Sequence, residues 1–442
     1  MSAPITRREL LKWASAGAGA AAVGGATYWV GRDDAPTQNP TAMLDDPDQR
    51  RPQVTAAPPP APRDATAATL DLGRRLLVVV EMDGGNDGLS MLVPYGMGNY
   101  YDLRRSTAIA ESEVLALDDE VGFNAGLRNV YARGAAVLQG VGTSAPDGSH
   151  FEMMARWWSG SPTPSTIADS GFLGRLADAI GDPAAAAVAL SIGTGAHPAI
   201  AARSVSTLSI PDAYAAGYVT GAGDDDPFRR TFQNAFARFA DGSGGSDLEQ
   251  RMRSLRSRSV AFAETIGDLD QHEDGATGGY PDSGLGNGLR LAAQLFQRET
   301  GVRIVHVPMQ VDFDTHDDHN GRYAAMMEGF DAATEAFFVD LEEKGLTDRV
   351  LLMTTSEFGR TARDNDSGGL DHGTASNVLL MGPVNQGRFG EHPSLTELDG
   401  NDDLIATVEF DQYYATVAEG WFGVPASDVL DGNVATIDGI FT

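Results

Sequence analysis

Short apolar runs separated by longer mixed stretches give the chain an alternation of predicted strands and helices. Residues 76–80 read LLVVV, which is typical of a strand buried on both faces of a parallel sheet. Helical patterns cover 126–133, a segment that opens after 149, and 322–343. Further strands are predicted at 135–141, 302–307, 349–354 and 378–381. This order predicts an α/β fold with a doubly wound, mostly parallel sheet and helices on both faces.

Polar motifs follow the apolar runs where the predicted strands end. EMDGGNDG follows the first strand, DGSHF the second, VDFDTHDDH the third and SEFGRT the fourth, with GGLDHG in the next loop. The strand at 378–381 has no such motif, and its place in the sheet is left open. Because parallel strands end at one edge of a sheet, the motifs predict one converging site there.

The carboxylates and imidazoles of these motifs indicate a divalent metal site. Asp314 and His316 alternate along an extended segment, so their side chains point the same way. Glu357 ends an apolar strand, and Asp371 and His372 lie in a glycine-rich loop. Such ligands suit Zn²⁺, Mn²⁺, Mg²⁺ or Ca²⁺. Two ions about 4 Å apart would clamp an in-line phosphoryl or sulfuryl displacement.

Several candidates also have a purely structural interpretation. Asp83 and Asp87 flank a Gly-Gly pair that permits close approach to a ligand, although Asp-Gly is also a common turn pair. Ser149 directly precedes a predicted helix, which suits either a nucleophile or an N-cap. His150 is interpreted as a base, a ligand or simply a helix-start residue.

Other charged residues near the motifs receive less specific interpretations. Asp317, Asp318 and His319 are expected to form a solvated helix start. Arg360 is expected to hold an oxyanion or to form a salt bridge with Glu357. The remaining histidines are interpreted as structural or surface residues: His197, His272, His306 and His392.

The N-terminal region has the pattern of an export signal. Residues 6–12 read TRRELLK and precede a mildly apolar, Ala- and Gly-rich segment, so residues 1–35 resemble a twin-arginine signal. This predicts the twin-arginine translocation machinery as a partner and a periplasmic, cell-surface or secreted location. Membrane contact is expected only through an uncleaved N-terminal segment. Residues 36–69 are rich in Pro and Ala and predict a disordered tether, which leaves 70–442 as the folded domain.

The composition of the chain argues against several classes of binding partner and excludes cysteine chemistry. The 442 residues include 32 Lys+Arg and 62 Asp+Glu, a net charge of −30. Such an acidic chain argues against nucleic acid and anionic membrane surfaces as partners. The chain contains no cysteine, which excludes disulfides, thiolate metal sites and cysteine nucleophiles.

The motifs resemble those of a known family. MDGGNDGL, SHF, FDTH, SEFGRT and GGLDHG occur here in the order found in the bacterial family called domain of unknown function 1501. The resemblance spans residues 76 to about 381, and twin-arginine signals are typical of the family. Its members are grouped with the alkaline phosphatase-like fold of phosphatases, sulfatases and cofactor-independent phosphoglycerate mutases.

The resemblance implies roles for individual residues. Active members of the superfamily carry an Asp-His pair after the fourth strand, whereas this chain has Glu357 and Phe358. The missing imidazole leaves open one ion, or a rearranged pair that recruits His150 or Asp371. The implied metal ligands are Asp83, Glu357, His372 and His316, the last paired with either Asp312 or Asp314. Asp312 has the four-residue offset of an Asp-x-x-x-His pair. The implied nucleophile is Ser149.

Three functions are compatible with these candidate residues and with the family resemblance. The leading hypothesis is an exported metal-dependent hydrolase that acts on a small anionic phosphate or sulfate ester, with one or two ions, Ser149 as nucleophile and Arg360 on the ester oxygens. A metal-free serine hydrolase would use Ser149, His372 and Asp371. A non-catalytic cell-surface or periplasmic binding protein would keep only the fold, and Phe358 favours it. Metal content distinguishes the metal-dependent hydrolase from the metal-free serine hydrolase. Ester turnover distinguishes both hydrolases from the non-catalytic binding protein.

Overall fold

The computed structural model describes residues 74–163, 169–193, 195–210 and 279–441, with isolated positions between 246 and 262. The predicted export signal, the tether and His272 lie outside the described residues. Within the described part, no helix is both long and apolar enough to cross a membrane.

The apolar runs identified in the sequence form strands, and further short strands join them. The twelve strands found in the described residues are β1 (Leu76–Glu81), β2 (Leu92–Val93), β3 (Val114–Ala116), β4 (Gly122–Asn124), β5 (Ala136–Gly142), β6 (Ala189–Ile192), β7 (Thr207–Ile210), β8 (Ile304–Pro308), β9 (Val350–Thr355), β10 (Ser376–Met381), β11 (Gly387–Phe389) and β12 (Val408–Glu409).

Helices connect and cover these strands. The α-helices in the same residues are α1 (Gly88–Met91), α2 (Gly98–Leu103), α3 (Arg128–Arg133), α4 (His150–Ser159), α5 (Phe172–Ile180), α6 (Gly284–Gln297), α7 (His319–Glu343), α8 (Phe410–Thr416) and α9 (Ala426–Val429). Single 3₁₀ turns lie at Glu111–Glu113, Pro198–Ile200 and Thr347–Arg349, and a π-helical turn at Val417–Trp421.

The main sheet has the strand order β11-β5-β10-β9-β1-β8-β6-β7, with β12 beside β5. β1 pairs in parallel with both β8 and β9, so the three strands end at the same edge. β10 runs antiparallel to β9 and β5, which explains why the strand predicted at 378–381 carries no site motif at its end. A separate small sheet has the order β2-β4-β3.

Alternate residues of β1 enter two different hydrophobic cores. Leu76, Val78 and Val80 pack in the core that includes α6 and α7, whereas Leu77 and Val79 pack with α4, α5 and α8. Since successive side chains of a strand point to opposite faces, helices cover both faces of the sheet. The predicted doubly wound, mostly parallel α/β fold is confirmed.

The glycine pair after β1 turns the chain at the sheet edge. Gly84 and Gly85 have φ angles of +105° and +90°, in the region that favours glycine. A Cβ on Gly84 would lie 2.5 Å from the backbone nitrogen of Asp314. One on Gly85 would lie 2.5 Å from the Phe358 ring. The turn therefore brings the loops after β1, β8 and β9 into direct contact.

Candidate functional site

Three histidines and one aspartate from distant parts of the chain meet at the carboxyl edge of the sheet. His150 begins α4, Asp314 and His316 follow β8, and His372 lies between β9 and β10. We call these four residues the open cluster. The potential ligand atoms of His150, Asp314 and His372 all lie within 4.8 Å of one another. His316 joins from the exposed side, with its Nε2 2.9 Å from Asp314 Oδ1.

Each imidazole of the open cluster uses its Nδ1 to bind an acceptor outside the cluster. His372 Nδ1 donates to the carbonyl oxygen of Gly148 at 2.8 Å. His316 Nδ1 is 2.8 Å from Asp371 Oδ1, and His150 Nδ1 is 2.9 Å from Glu357 Oε1. Because carbonyl and carboxylate oxygens only accept, each Nδ1 carries the proton. A neutral ring with this tautomer presents an unprotonated Nε2 atom to the centre.

The three Nε2 atoms lie too close together to be explained by hydrogen bonds among neutral rings. His372 Nε2 is 3.0 Å from His150 Nε2 and 3.1 Å from His316 Nε2. Facing lone pairs at this distance repel one another unless a cation or an added proton lies between them. Tetrahedral zinc with Zn–N bonds of about 2.0–2.1 Å separates its ligand atoms by about 3.3 Å. The donor set and its spacing therefore fit a bound metal ion.

Arg360 holds Asp314 in the open cluster. Its Nη2 is 2.6 Å from Asp314 Oδ1, and its other donors bind the carbonyl oxygens of Gly84, Gly85 and Leu370. Burial disfavours ionisation of Asp314, but the hydrogen bond and the charge of Arg360 outweigh it and lower the Asp314 pKa. The Arg360 side chain is 0% exposed, so its expected role on ester oxygens is replaced by a role in positioning Asp314.

Glu357 and Phe358 lie beneath the imidazoles and are not at the centre. Glu357 Oε1 accepts hydrogen bonds from His150 Nδ1 and from the backbone amide of Gly84 at 2.8 Å. The hydrogen bond between His150 Nδ1 and Glu357 raises the pKa of His150, although burial opposes the shift. The Phe358 ring packs 4.9 Å from the His150 ring and 4.8 Å from the His372 ring. Glu357 thus orients His150, and Phe358 supplies an apolar wall at the position where the sequence resemblance implies an imidazole.

Two further predicted ligands lie outside the open cluster. Asp312 is exposed, and its Oδ1 accepts the backbone amide of Asp314 at 2.9 Å, so Asp314 is the partner of His316. Asp83 is partly buried, and burial followed by the charges of Glu81, Glu357 and Asp312 raises its pKa to about 8. A carboxyl group surrounded by other carboxylates is a second position where a cation would be stabilised.

Ser149 immediately precedes α4 in the exposed loop that also supplies Gly148. Its hydroxyl does not cap the helix, and no described residue forms a hydrogen bond with it. Ser149 thus occupies the N-cap position of α4, as one interpretation predicted, but through its backbone alone. The alternative triad of Ser149, His372 and Asp371 is not assembled, because Asp371 binds His316 and His372 Nδ1 binds Gly148.

His319 is not part of a solvated helix start, which corrects the prediction for that segment. Its side chain is 0% exposed, with Nε2 3.2 Å from Asp87 Oδ2 and Nδ1 2.7 Å from Thr315 Oγ1. Asp87 forms a bidentate, fully buried salt bridge with Arg104 at 2.8 and 2.9 Å. Burial opposes ionisation, but Arg104 and His319 lower the Asp87 pKa. Asp87 is thus a structural anchor of the turn after β1, while Asp317 and Asp318 are exposed as expected.

A second group of histidines surrounds Glu81 on the α4 side of the sheet. We call Glu81, Trp158, His197 and His306 the closed cluster. Glu81 Oε2 lies 2.8 Å from His306 Nε2 and 3.4 Å from His197 Nε2, and Trp158 Nε1 donates to Glu81 Oε1 at 2.6 Å. The sequence interpretation of His197 and His306 as structural or surface residues did not bring them together in a cluster. Its signal was a histidine and a glutamate inside otherwise apolar strands, IVHVP and LLVVVE.

Comparison with protein families identifies the chain. The model of a family of unknown function, DUF1501, matches residues 120–409, more than half of the sequence. This protein belongs to the DUF1501 family. The matched range contains SHF, FDTH, SEFGRT and GGLDHG, and it begins after the MDGGNDGL motif. No curated protein sequence matches this DUF1501 protein.

Solved structures that resemble this DUF1501 protein come from the alkaline phosphatase and sulfatase superfamily, at low sequence identity. Ps i-CgsB, solved with k-i-k-neocarrahexaose, is 11% identical and has a TM-score of 0.39, covering 81% of this chain and 75% of its own. Lipoteichoic acid synthase LtaP from Listeria monocytogenes is 9% identical (TM-score 0.35, 80% and 74% covered). Alkaline phosphatase from the Antarctic bacterium TAB5 is 12% identical (TM-score 0.35, 79% and 98% covered), and a variant of it was solved with Mg bound.

Proposed function

We propose that this protein is an exported, metal-dependent hydrolase of phosphate or sulfate esters. The observation that carries the proposal is the convergence of three imidazole Nε2 atoms on Asp314 at the carboxyl edge of the sheet. The ester class follows from the family resemblance of the motifs that supply these residues. The export step rests on the twin-arginine pattern of residues 1–35, which lie outside the described structure.

The donor set favours zinc among the candidate ions. Three imidazole nitrogens and one carboxylate suit Zn²⁺, whereas Mg²⁺ and Ca²⁺ prefer oxygen ligands. His150, His316, His372 and Asp314 would hold the ion. When bound, it would supply Lewis acidity at an ester oxygen and lower the pKa of a hydroxyl group beside it. Phe358, in place of an imidazole, favours a single ion at this position.

The protein side chains prepare the site around that ion. Glu357, Asp371 and the carbonyl oxygen of Gly148 fix the Nδ1 tautomers, so the rings need no reorientation. Ser149, exposed and adjacent to His150, is the proposed nucleophile. Attack by its oxygen on the phosphorus or sulfur would break the bond to the ester's alcohol, which would leave with the hydroxyl proton, and water would later cleave the seryl ester to release phosphate or sulfate and restore the hydroxyl. Asp83, whose pKa is raised by burial and by neighbouring carboxylates, would hold a proton or a second cation at the same edge.

A non-catalytic metal-binding protein is the second candidate, because Phe358 is buried against two of the ligand rings. Turnover measurements separate the two functions. The purified protein, loaded with Zn²⁺ or Mn²⁺, is assayed with p-nitrophenyl phosphate and p-nitrophenyl sulfate. We expect hydrolysis of at least one ester and its loss in Ser149→Ala with metal content unchanged.

Ser144→Ala is the matched control, since Ser144 is also exposed in the loop after β5. Normal turnover in both variants would remove Ser149 from the mechanism. Absence of turnover with a full complement of metal, across a broader panel of phosphate and sulfate esters, would favour the non-catalytic alternative.

A further inference from the structure

A short acidic loop between β11 and β12 has the spacing of a cation-binding segment. Residues 399–403 read DGNDD, so Asp399, Asn401 and Asp403 occupy alternate positions. A D-x-N-x-D pattern supplies the first three side-chain ligands of calcium loops of the EF-hand type. The loop shares only this half of that motif, because Leu404 and Phe410 stand where the complete motif has Gly and Glu.

The backbone closes the loop and places the two aspartates together. The Asp399 amide donates to the Asp403 carbonyl at 2.9 Å, and Leu398 and Leu404 form an isolated antiparallel bridge. Asp399 Oδ1 accepts the amides of Asn401 at 2.7 Å and Asp403 at 2.9 Å. These bonds use Asp399 Oδ1, and the charge of Asp399 acts on Asp403.

The second observation is an unpartnered, buried carboxylate. Asp403 is only 8% exposed, and its Oδ1 is buried without a hydrogen-bond partner among the described residues. The charged groups that act on it are all carboxylates, in the order Asp399, Asp402 and Asp371. Burial, followed by these charges, raises the pKa of Asp403 to about 7. A buried carboxylate oxygen with no donor is costly, and a bound cation is the ligand that would satisfy it.

We propose that residues 399–403 form a calcium site with side-chain ligands from Asp399, Asn401 and Asp403. Ca²⁺ accepts carboxylate, amide and carbonyl oxygens in irregular geometry, whereas Mg²⁺ demands a near-ideal octahedron. The all-oxygen donors of this loop distinguish it from the imidazole-rich open cluster, so the two sites select different ions.

The loop lies next to the segment that supports the open cluster. Asp402 Oδ2 is 3.8 Å from Arg363 Nε, and Arg363 belongs to the stretch between Arg360 and His372. Asp371, which orients His316, is among the charges that act on Asp403. A cation in the loop would therefore brace this segment and reduce the repulsion between Asp403 and Asp371.

The test measures the melting temperature of the purified protein with and without Ca²⁺, and it measures calcium binding by titration calorimetry. We expect millimolar Ca²⁺, but not equal Mg²⁺, to raise the Tm by about 3 °C, which corresponds to a ligand at about one hundred times its Kd on a chain of this size. Asp399→Asn and Asp403→Asn should lose the calcium-dependent shift, and titration calorimetry should show no binding to either.

Two controls separate the loop from the rest of the molecule. Asp119→Asn changes a comparable exposed acidic turn (LDDE) and should keep the full shift. His372→Ala should also keep it, because the open cluster is a different site. A wild-type protein whose Tm does not respond to Ca²⁺, or an Asp403→Asn variant that binds Ca²⁺ as the wild type does, would overturn the proposal.

Discussion

The open and closed clusters contain the same kinds of residue, yet their protons are placed in opposite ways. In the open cluster every Nδ1 donates outwards, so that a neutral ring directs an unprotonated Nε2 at the centre. In the closed cluster, His197 Nδ1 accepts the amide of Ala199 at 3.3 Å, so its Nε2 must carry the proton that it donates to Glu81. His306 Nδ1 pairs with the Ser191 hydroxyl at 3.0 Å, which leaves its Nε2–H for Glu81.

The difference shows that proximity of ligand-type residues does not make a metal site. Both clusters bring three potential ligands within 4.8 Å of one another. Glu81, however, already receives N–H donors from Trp158, His197 and His306, so its charge is satisfied by the protein. Burial opposes its ionisation, but His306 and His197 lower its pKa. The partner of Nδ1 decides what Nε2 can do. Where Nδ1 donates to an acceptor, Nε2 is free to bind a metal, and where Nδ1 accepts a hydrogen bond, Nε2 keeps the proton and donates it.

The largest expected difference between the clusters is in metal binding. His372→Ala removes the ring whose Nε2 contacts both other imidazoles, and we expect loss of the bound ion after dialysis. His197→Gln in the closed cluster should leave the metal content unchanged. Elemental analysis of Zn, Mn, Mg, Ca and Fe per chain measures both. Metal lost from His197→Gln but retained by His372→Ala would reverse the assignment of the two clusters.

An intermediate effect is expected when only the orienting acceptor is changed. Asp371→Asn can present its amide to His316 Nδ1 and thereby disturb the tautomer, so we expect a 10–100-fold weaker zinc affinity. Competition with a chelator measures this change. Asp317→Asn is the control, because Asp317 is also exposed and lies next to His316 but accepts nothing from it. Equal affinities of the two variants would contradict the orienting role of Asp371.

The smallest effect is expected for the closed cluster and concerns stability. Glu81→Gln replaces the carboxylate that accepts from Trp158 and His306, and should lower the free energy of unfolding by about 2 kcal/mol at pH 7. Because the folded pKa of Glu81 is lowered, its contribution is present above the ordinary value of 4.5 and is lost as the pH falls below it. Denaturant unfolding between pH 3 and 7 should therefore show the two proteins converging in acid. A constant difference would indicate that the charge of Glu81 is not involved.

Much of the fold could be predicted because continuous apolar runs are a strong local signal. The strands at 76–80 and 349–354 lie within one residue of β1 and β9. The direction of β10 could not be predicted, since an apolar run has no inherent orientation relative to its neighbours. α7 begins three residues earlier than predicted because His319 finds buried partners in Asp87 and Thr315.

The candidate site was only partly predictable for a similar reason. Alternation along an extended segment correctly paired Asp314 with His316, and the glycine-rich loop singled out His372. The sequence could not show that Arg360 is enclosed by four acceptors, or that Glu357 accepts from His150. Both roles include contacts between segments more than two hundred residues apart, such as Arg360 with Gly85 at a separation of 275 and His150 with Glu357 at a separation of 207.

The long sequence separations in the open cluster also affect how the protein unfolds. His150 and His372 are 222 residues apart in the chain, and Asp314 joins them from a third segment. One ion held by all of them would act as a removable crosslink, closing two large loops that the unfolded chain would otherwise leave free. Chelation should then expose this edge to proteases before the rest of the sheet opens, whatever reaction the site performs.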